Sequence, residues 1–245
     1  MKGAGLLTRV ETSRGKGSRR SYRWTYVTAV TGVVVGIVAT VLLLPGHNWP
    51  DGTRHGRWLA VFDGFGTTTS TGSGAKQAIT LSPKQTGGKH ETHSALVVTT
   101  TKYRDFVVTA RVRTQRQLRQ GVAGAPNPWE VGWIVWHYRS NEEFYALTLG
   151  PSGWVLSKQD PRYPGGQRFL VTGKSPRFAV GRTHTVGVVQ LGNHITVSGD
   201  GRLLAQFVDD EHPYSSGAFG LYTEDSRVRF DRIKISPLPD AASSH

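Results

Sequence analysis

WEVGWIVWHYRSNEEFYALTL, Trp129 to Leu149, reads as two strand-forming runs joined by the polar turn RSNEE. In a strand, alternate side chains point to opposite faces of the sheet. Val131, Trp133, Val135 and His137 therefore share one face, and Gly132, Ile134, Trp136 and Tyr138 share the other. Both faces carry tryptophan, so a strand with a core side and a wet side does not account for the first run. Ile134, Trp136, Tyr145, Leu147 and Leu149 are assigned to the core. Trp133, His137, Phe144 and Thr148 then lie together on the second face.

Working outward, the same short, punctuated pattern continues from about Trp58. WLAVF, AITL, SALVVTT, DFVVTARVRT, GWVLSK, RFLVTG, HTVGVVQL, HITVSG, RLLAQFV, GAFGLYT and RVRFDRIKI are strand-like, and no stretch keeps a helical period. Gly150-Pro151-Ser152-Gly153, Gly192-Asn193 and Asp200-Gly201 supply the residues that hairpin turns need. The fold class is all-β, with the strand spacing of an antiparallel sandwich or barrel. Longer polar insertions at Arg116 to Pro128 and Asp160 to Gly166 are candidate binding loops, with plain solvent loops as the alternative. TTTSTGSG, Thr67 to Gly74, reads as a low-complexity loop.

The N-terminus differs in kind. The first 25 residues carry seven Lys/Arg against Glu11, and an uncharged run follows from Val27 to Leu44. Eighteen helical residues span about 27 Å, close to a bilayer's hydrocarbon core. Tyr22, Trp24, Tyr26 and Trp49 flank the run as interfacial aromatics would. The expected organisation is a basic cytoplasmic tail (1–25), a transmembrane helix or uncleaved signal (26–45), a linker (46–57), an extracytoplasmic domain (58–237) and a tail (238–245). The protein would be secreted if the segment were cleaved, but no A-x-A-like site follows in LLLPGHNWP. SRRSYRW partly resembles a twin-arginine export signal, against the simpler reading as a charged membrane flank. Gly32 and Gly36 make one GxxxG spacing, a route to a homodimer.

Of the net charge of +13, the tail holds +6 and the remainder +7. That remainder has no basic run interleaved with aromatics, so nucleic acid is not expected as a partner. The chain has no cysteine, which excludes disulfides, thiolate metal sites and cysteine nucleophiles.

The order YRDFVVTARVRT, VGWIVWHYRSNEEFYALTL, GWVLSKQD, GRTHTVGVVQLGNHITVSGDGRLL and GAFGLYTEDSRVRFDRIKI resembles the laminin-G-like jelly rolls of the concanavalin A-like lectin/glucanase superfamily. Within it the chain is similar to bacterial domains of the family 16 glycoside hydrolase-like or 3-keto-disaccharide hydrolase-like type, over roughly residues 56 to 236. The resemblance implies an antiparallel β-sandwich, a jelly roll of two curved sheets, that leaves one outer, concave face for saccharide. Trp133, His137, Phe144, Thr148 and Lys158 are then the candidate ligand-binding residues, because sugar rings stack on aromatic planes and hydroxyls need nearby donors and acceptors. The competing reading is that a loop covers this face and buries it.

Glycoside hydrolysis needs two carboxylates roughly 5 to 10 Å apart. The E-x-D-x-x-E strand motif of retaining family 16 enzymes is absent, and the substitutes are Glu130 with Asp160 or Glu91. Glu142 and Glu143 fall in a turn and are read as solvated. The sequence thus favours a carbohydrate-binding module over a hydrolase. His90 and His93 fall on opposite faces of a strand, which argues against zinc. In RVRFDRIKI the apolar alternation slips by one at Asp231-Arg232, the mark of a β-bulge. The resemblance implies a structural calcium between the terminal strands, held by Asp63 and Asp231 with carbonyls. The alternative is that these acids cap strand ends or pair with Arg229 and Arg232. A calcium-stabilised structural or interaction module is the third functional reading.

Overall fold

A computed structural model describes residues 48–239. The membrane segment, the twin-arginine stretch and the Gly32/Gly36 pair lie outside the described residues. Among those described, no helix is long and apolar enough to cross a membrane.

Two antiparallel sheets form the sandwich, with strands numbered in chain order. One has eight strands in the order β1 (Arg54–His55), β2 (Trp58–Phe62), β5 (Ser94–Tyr103), β14 (Gly217–Glu224), β7 (Gly132–Ser140), β8 (Glu143–Gly150), β9 (Gly153–Gln159) and β10 (Gln167–Gly173). The other has seven, in the order β13 (Arg202–Val208), β12 (His194–Gly199), β11 (His184–Leu191), β6 (Phe106–Gln117), β15 (Ser226–Pro237), β4 (Ala78–Ser82) and β3 (Thr67–Thr71). Between them lies a core that includes Trp58, Ile79, Val97, Phe106, Trp136 and Phe230.

Two sequence boundaries move. Of the expected linker, residues 48–57 belong to the sandwich: Asn48 bridges Thr69, β1 pairs with β2, and Trp49 is buried with its ring stacked on His55 at 4.4 Å. Trp49 is therefore a core residue of the sandwich and not an interfacial aromatic. Thr67 to Thr71 is β3, paired with β4 along its whole length, because its β-branched threonines suit a pleated edge.

The opening strand behaves as its parity requires as far as Trp136. Trp133, Ile134, Val135 and Trp136 pair with Thr148, Leu147, Ala146 and Tyr145. Ile134 and Trp136 enter the core, while Trp133 and Val135 join Leu96, Val98, Phe144 and Ala146 in a second apolar cluster. This explains the paired tryptophans: the eight-stranded sheet is apolar on both faces. At His137 the ladder slips, and the residue takes a left-handed φ of 48°. Its ring turns to the core side, beside Phe106 and Tyr145, and Tyr138 takes the outer-face position expected of His137.

Lys158 also belongs to the core side. It pairs in register with Tyr145, is fully buried, and donates to Asp209 Oδ2 at 2.8 Å and to the carbonyls of Glu211 and His212. All three ammonium hydrogens are thereby used, and Tyr145 donates to the same Asp209 carboxylate. Lys158→Ala should cost about 3–5 kcal/mol in urea denaturation, because Asp209 is left buried without its cation. The double variant Lys158→Met/Asp209→Asn should lose less than that single variant, and a Lys158→Ala chain as stable as wild type would refute the assignment.

Candidate functional site

The outer face of the eight-stranded sheet carries a recess of about 280 Å³ lined by Phe62, Ser94, Leu96, Val135, Tyr138, Asn141, Phe144 and Tyr222. Three neighbouring strands supply its aromatic floor. Tyr138 on β7 and Phe144 on β8 face each other with ring centroids 6.2 Å apart, and Tyr222 on β14 sits edge-on to Trp133 at 5.0 Å. The pairing of Tyr222 with Trp133 fixes this register. Asn141, in the β7–β8 turn, accepts from the Tyr138 hydroxyl at 2.8 Å and brings an amide to the rim.

At the Trp133 end stands a carboxyl that the sequence reading missed. Glu224 lies two residues beyond Tyr222 on the same face and accepts from the Tyr222 hydroxyl at 2.6 Å. Burial raises the Glu224 pKa; the Tyr222 hydrogen bond opposes this, and the nearby charges of Asp225 and Glu130 add to it. The Tyr222 hydroxyl is itself pushed up, first by burial and then by Glu224. In GAFGLYTEDS the alternation does place Tyr222 and Glu224 on one face. Only the pairing of β14 between β5 and β7, a contact between distant segments, shows which face that is.

The residues proposed from sequence fall into separate places. Trp133, Phe144 and Thr148 do share the outer face, but each is buried. Trp133, 7% exposed, donates its indole N–H to the Trp129 carbonyl at 2.8 Å, so the β6–β7 loop closes over its edge and it offers no open stacking plane. Of these three only Phe144 lines the recess. His137 and Lys158 are core residues, as described above. His137 contacts the Arg104 carbonyl at 2.9 Å through Nε2, and burial pushes its pKa down.

The proposed acid pair is not assembled. Glu130 is 1% exposed; it accepts from Arg119 Nε at 2.6 Å and from Asn127 at 2.7 Å, and its other oxygen has no partner among the described residues. Asp160 is gripped by Arg162, whose hydrogen bonds hold its pKa down at about 2. Glu130 precedes β7 and Asp160 follows β9, and these strands run parallel on either side of β8. The register Trp133–Thr148–Val155 sets the two acids about eight residues apart along the strands, roughly 25 Å at strand rise and beyond glycosidase spacing. Glu91 caps the Gly87 amide at 2.7 Å and faces His93 at 3.0 Å; the Gly87 bond lowers its pKa.

Nor does the calcium pair meet. Asp63 accepts from the Gly66 amide beside the Ser82 end of β4, whereas Asp231 pairs with Ala78 at the other end of that strand. Burial raises the Asp63 pKa. Burial acts in the same direction on Asp231, but Arg111 Nε at 2.6 Å and Arg229 Nε at 3.3 Å overcome it and hold the carboxyl below its usual value. No group of three or more acidic or histidine side chains suited to a metal occurs among the described residues. The bulge expected at Asp231-Arg232 is present, with a register shift and a φ of 50° at Arg232.

Comparison with known proteins agrees with this architecture. The carbohydrate binding module CBM66 from Bacillus subtilis superposes with a TM-score of 0.53 at 14% identity, covering 76% of this chain and 99% of that one. A family 16 glycoside hydrolase from Bacteroides ovatus, solved with a G4G4G3G product, gives 0.51 at 10% identity over 75% of this chain and 96% of its own. Likeness at such identity establishes the sandwich fold alone. No curated protein matches the chain. The model of the 3-keto-alpha-glucoside-1,2-lyase-like domain, however, matches residues 47–236, nearly the span of the sandwich just described, and the chain belongs to that family.

Proposed function

We propose that the domain holds a saccharide in the outer-face recess. The observation that carries this reading is the convergence of Phe62, Tyr138, Phe144 and Tyr222 on one 280 Å³ concavity, with Ser94 and Asn141 as polar groups. The C–H face of a sugar packs on aromatic rings, and a few placed polar groups orient its hydroxyls. The anchor read from Val27 to Leu44 would present the recess outside the membrane.

Glu224 favours a second step, cleavage by elimination. The family's name denotes a lyase acting across C1 and C2 of a 3-keto-alpha-glucoside. A ketone at C3 acidifies the C2 proton, so one base removes it, a C1–C2 double bond forms, and the glycosidic oxygen leaves with a proton. Such chemistry requires neither the paired carboxylates nor their spacing, and the absence of E-x-D-x-x-E does not count against it. A carboxyl with a raised pKa suits a group that takes a proton and returns it to the leaving oxygen.

Calorimetric titration of the full chain with a panel of neutral and 3-keto oligosaccharides should find a ligand, and Tyr222→Ala or Phe144→Ala should weaken it by about ten-fold or more. A panel without any binding would refute the site. With a 3-keto-glucoside, turnover should appear as ultraviolet absorption of the conjugated enone; Glu224→Gln should abolish it while leaving binding within a few-fold.

The same residue predicts a pH signature. A carboxyl whose pKa is raised on folding opposes stability once the pH passes its unfolded value, and not below it. Glu224→Gln should therefore be at least as stable as wild type at neutral pH, with the difference vanishing in acid. A gap that widens as pH falls would contradict the assigned shift.

A further inference from the structure

A second and larger groove, about 990 Å³, opens where β6 and β15 of the seven-stranded sheet meet residues 74–77 and Arg57 in the β1–β2 turn, and it shares no lining residue with the saccharide recess. Its cationic lining is Arg57, Lys76, Arg111, Arg229, Arg232 and Lys234, against the single carboxylate of Asp231. Six cations against one anion leave five positive charges in one concavity, most of the +7 that sequence assigns outside the N-terminal tail.

The cations are placed with some care. Asp231 takes one Nε–H from Arg111 and one from Arg229. Each guanidinium thus keeps its Nη donors, which find no partner among the described residues, while Asp231 holds both planes in position. A guanidinium fork of that kind matches a carboxylate, sulfate or phosphate. Next to them the β15 bulge puts Arg232 at a φ of 50°, an uncommon conformation for a residue with a side chain. Bulges re-aim side chains, and this one leaves Arg232 and Lys234 exposed beside the pair. Neither they nor Lys76 pair with a carboxylate among the described residues.

We infer that this groove binds a polysaccharide strand bearing carboxylate, sulfate or phosphate groups. Its lining contains no aromatic residue, so neither neutral sugar rings nor nucleobases have a plane to stack on, and charge alone is read. Its concavity and size, at the top of the roughly 300–1,000 Å³ range of ligand clefts, suit an inserted chain and not a flat lipid surface. The inference stands apart from the saccharide reading because the two sites share no lining residue.

The test is binding of the full chain to a heparin dodecasaccharide across a sodium chloride titration, with neutral dextran and phosphatidylglycerol–phosphatidylcholine vesicles in parallel. Heparin should bind with a steep salt dependence, and Lys76→Glu/Lys234→Glu should weaken it by about ten-fold or more. Arg182→Glu/Arg202→Glu, the same change in net charge at exposed positions away from the groove, should leave it within about two-fold. Tyr222→Ala should leave it unchanged, which separates failure here from failure of the saccharide site. Equal weakening by both charge reversals, absence of heparin binding, or binding to vesicles alone would overturn the inference.

Discussion

A guanidinium taken out of water must find anions and carbonyls for its donors, and Arg119 is such a group. It lies buried where the β6–β7 loop, the segment before β5 and the β14–β15 turn converge. Nε bonds Glu130, Nη2 bonds Asp225 and the Glu91 carbonyl, and Nη1 reaches carbonyls of Lys89 and Ala123. A buried ion pair of this kind contributes little net stability compared with a well-packed apolar alternative, but removal of one member strands the others. Its value lies in placement. Glu130 precedes β7 by two residues and Asp225 follows Glu224 directly, so one side chain ties the start of the tryptophan strand to the end of the strand bearing the candidate acid. Two carboxylates on one cation also leave negative charge beside Glu224, which adds to the burial that raises its pKa.

That anchor accounts for why the apolar outer face is not left as an open sheet. A sheet with aromatic rings on both sides would ordinarily invite association. Here the loop held by Arg119 folds over Trp133, and the face narrows from an apolar sheet to a recess. The tryptophan that prompted the glycan reading is spent on fixing the loop, and smaller rings nearby line the space that remains.

Much of the sandwich was legible in the sequence because alternation is a local property. Residues 131–136 and 144–149 fall on the faces that parity assigns. It failed at His137, where a single left-handed residue reverses every later side chain, and no residue type at that position announces it. Lys158 was a different error: it shares parity with the core residues Trp154 and Leu156, and its charge alone drew it to the ligand face. A buried lysine is intelligible only once Asp209 and two carbonyls are seen around it. Glu224 was out of reach for a third reason, since its surroundings come from β5, β7 and the Arg119 loop, all distant in sequence.

The proposed saccharide recess and the proposed polyanion groove would keep apart two kinds of recognition that interfere if they share one surface. Stacking on Tyr138, Phe144 and Tyr222 wants a dry, uncharged floor, and a carboxyl beside it keeps a raised pKa only where cations are scarce. A cluster of five positive charges next to Glu224 would pull its pKa down and disable it as a proton donor near neutral pH. Keeping every cation of that cluster out of the recess lining limits this coupling. If both sites bind as proposed, they can serve one polymer: a strand retained by charge in the groove raises the effective concentration of its neutral segments at the recess, provided the chain spans the two. On that reading the arrangement favours ligands long enough to reach both sites over free disaccharides.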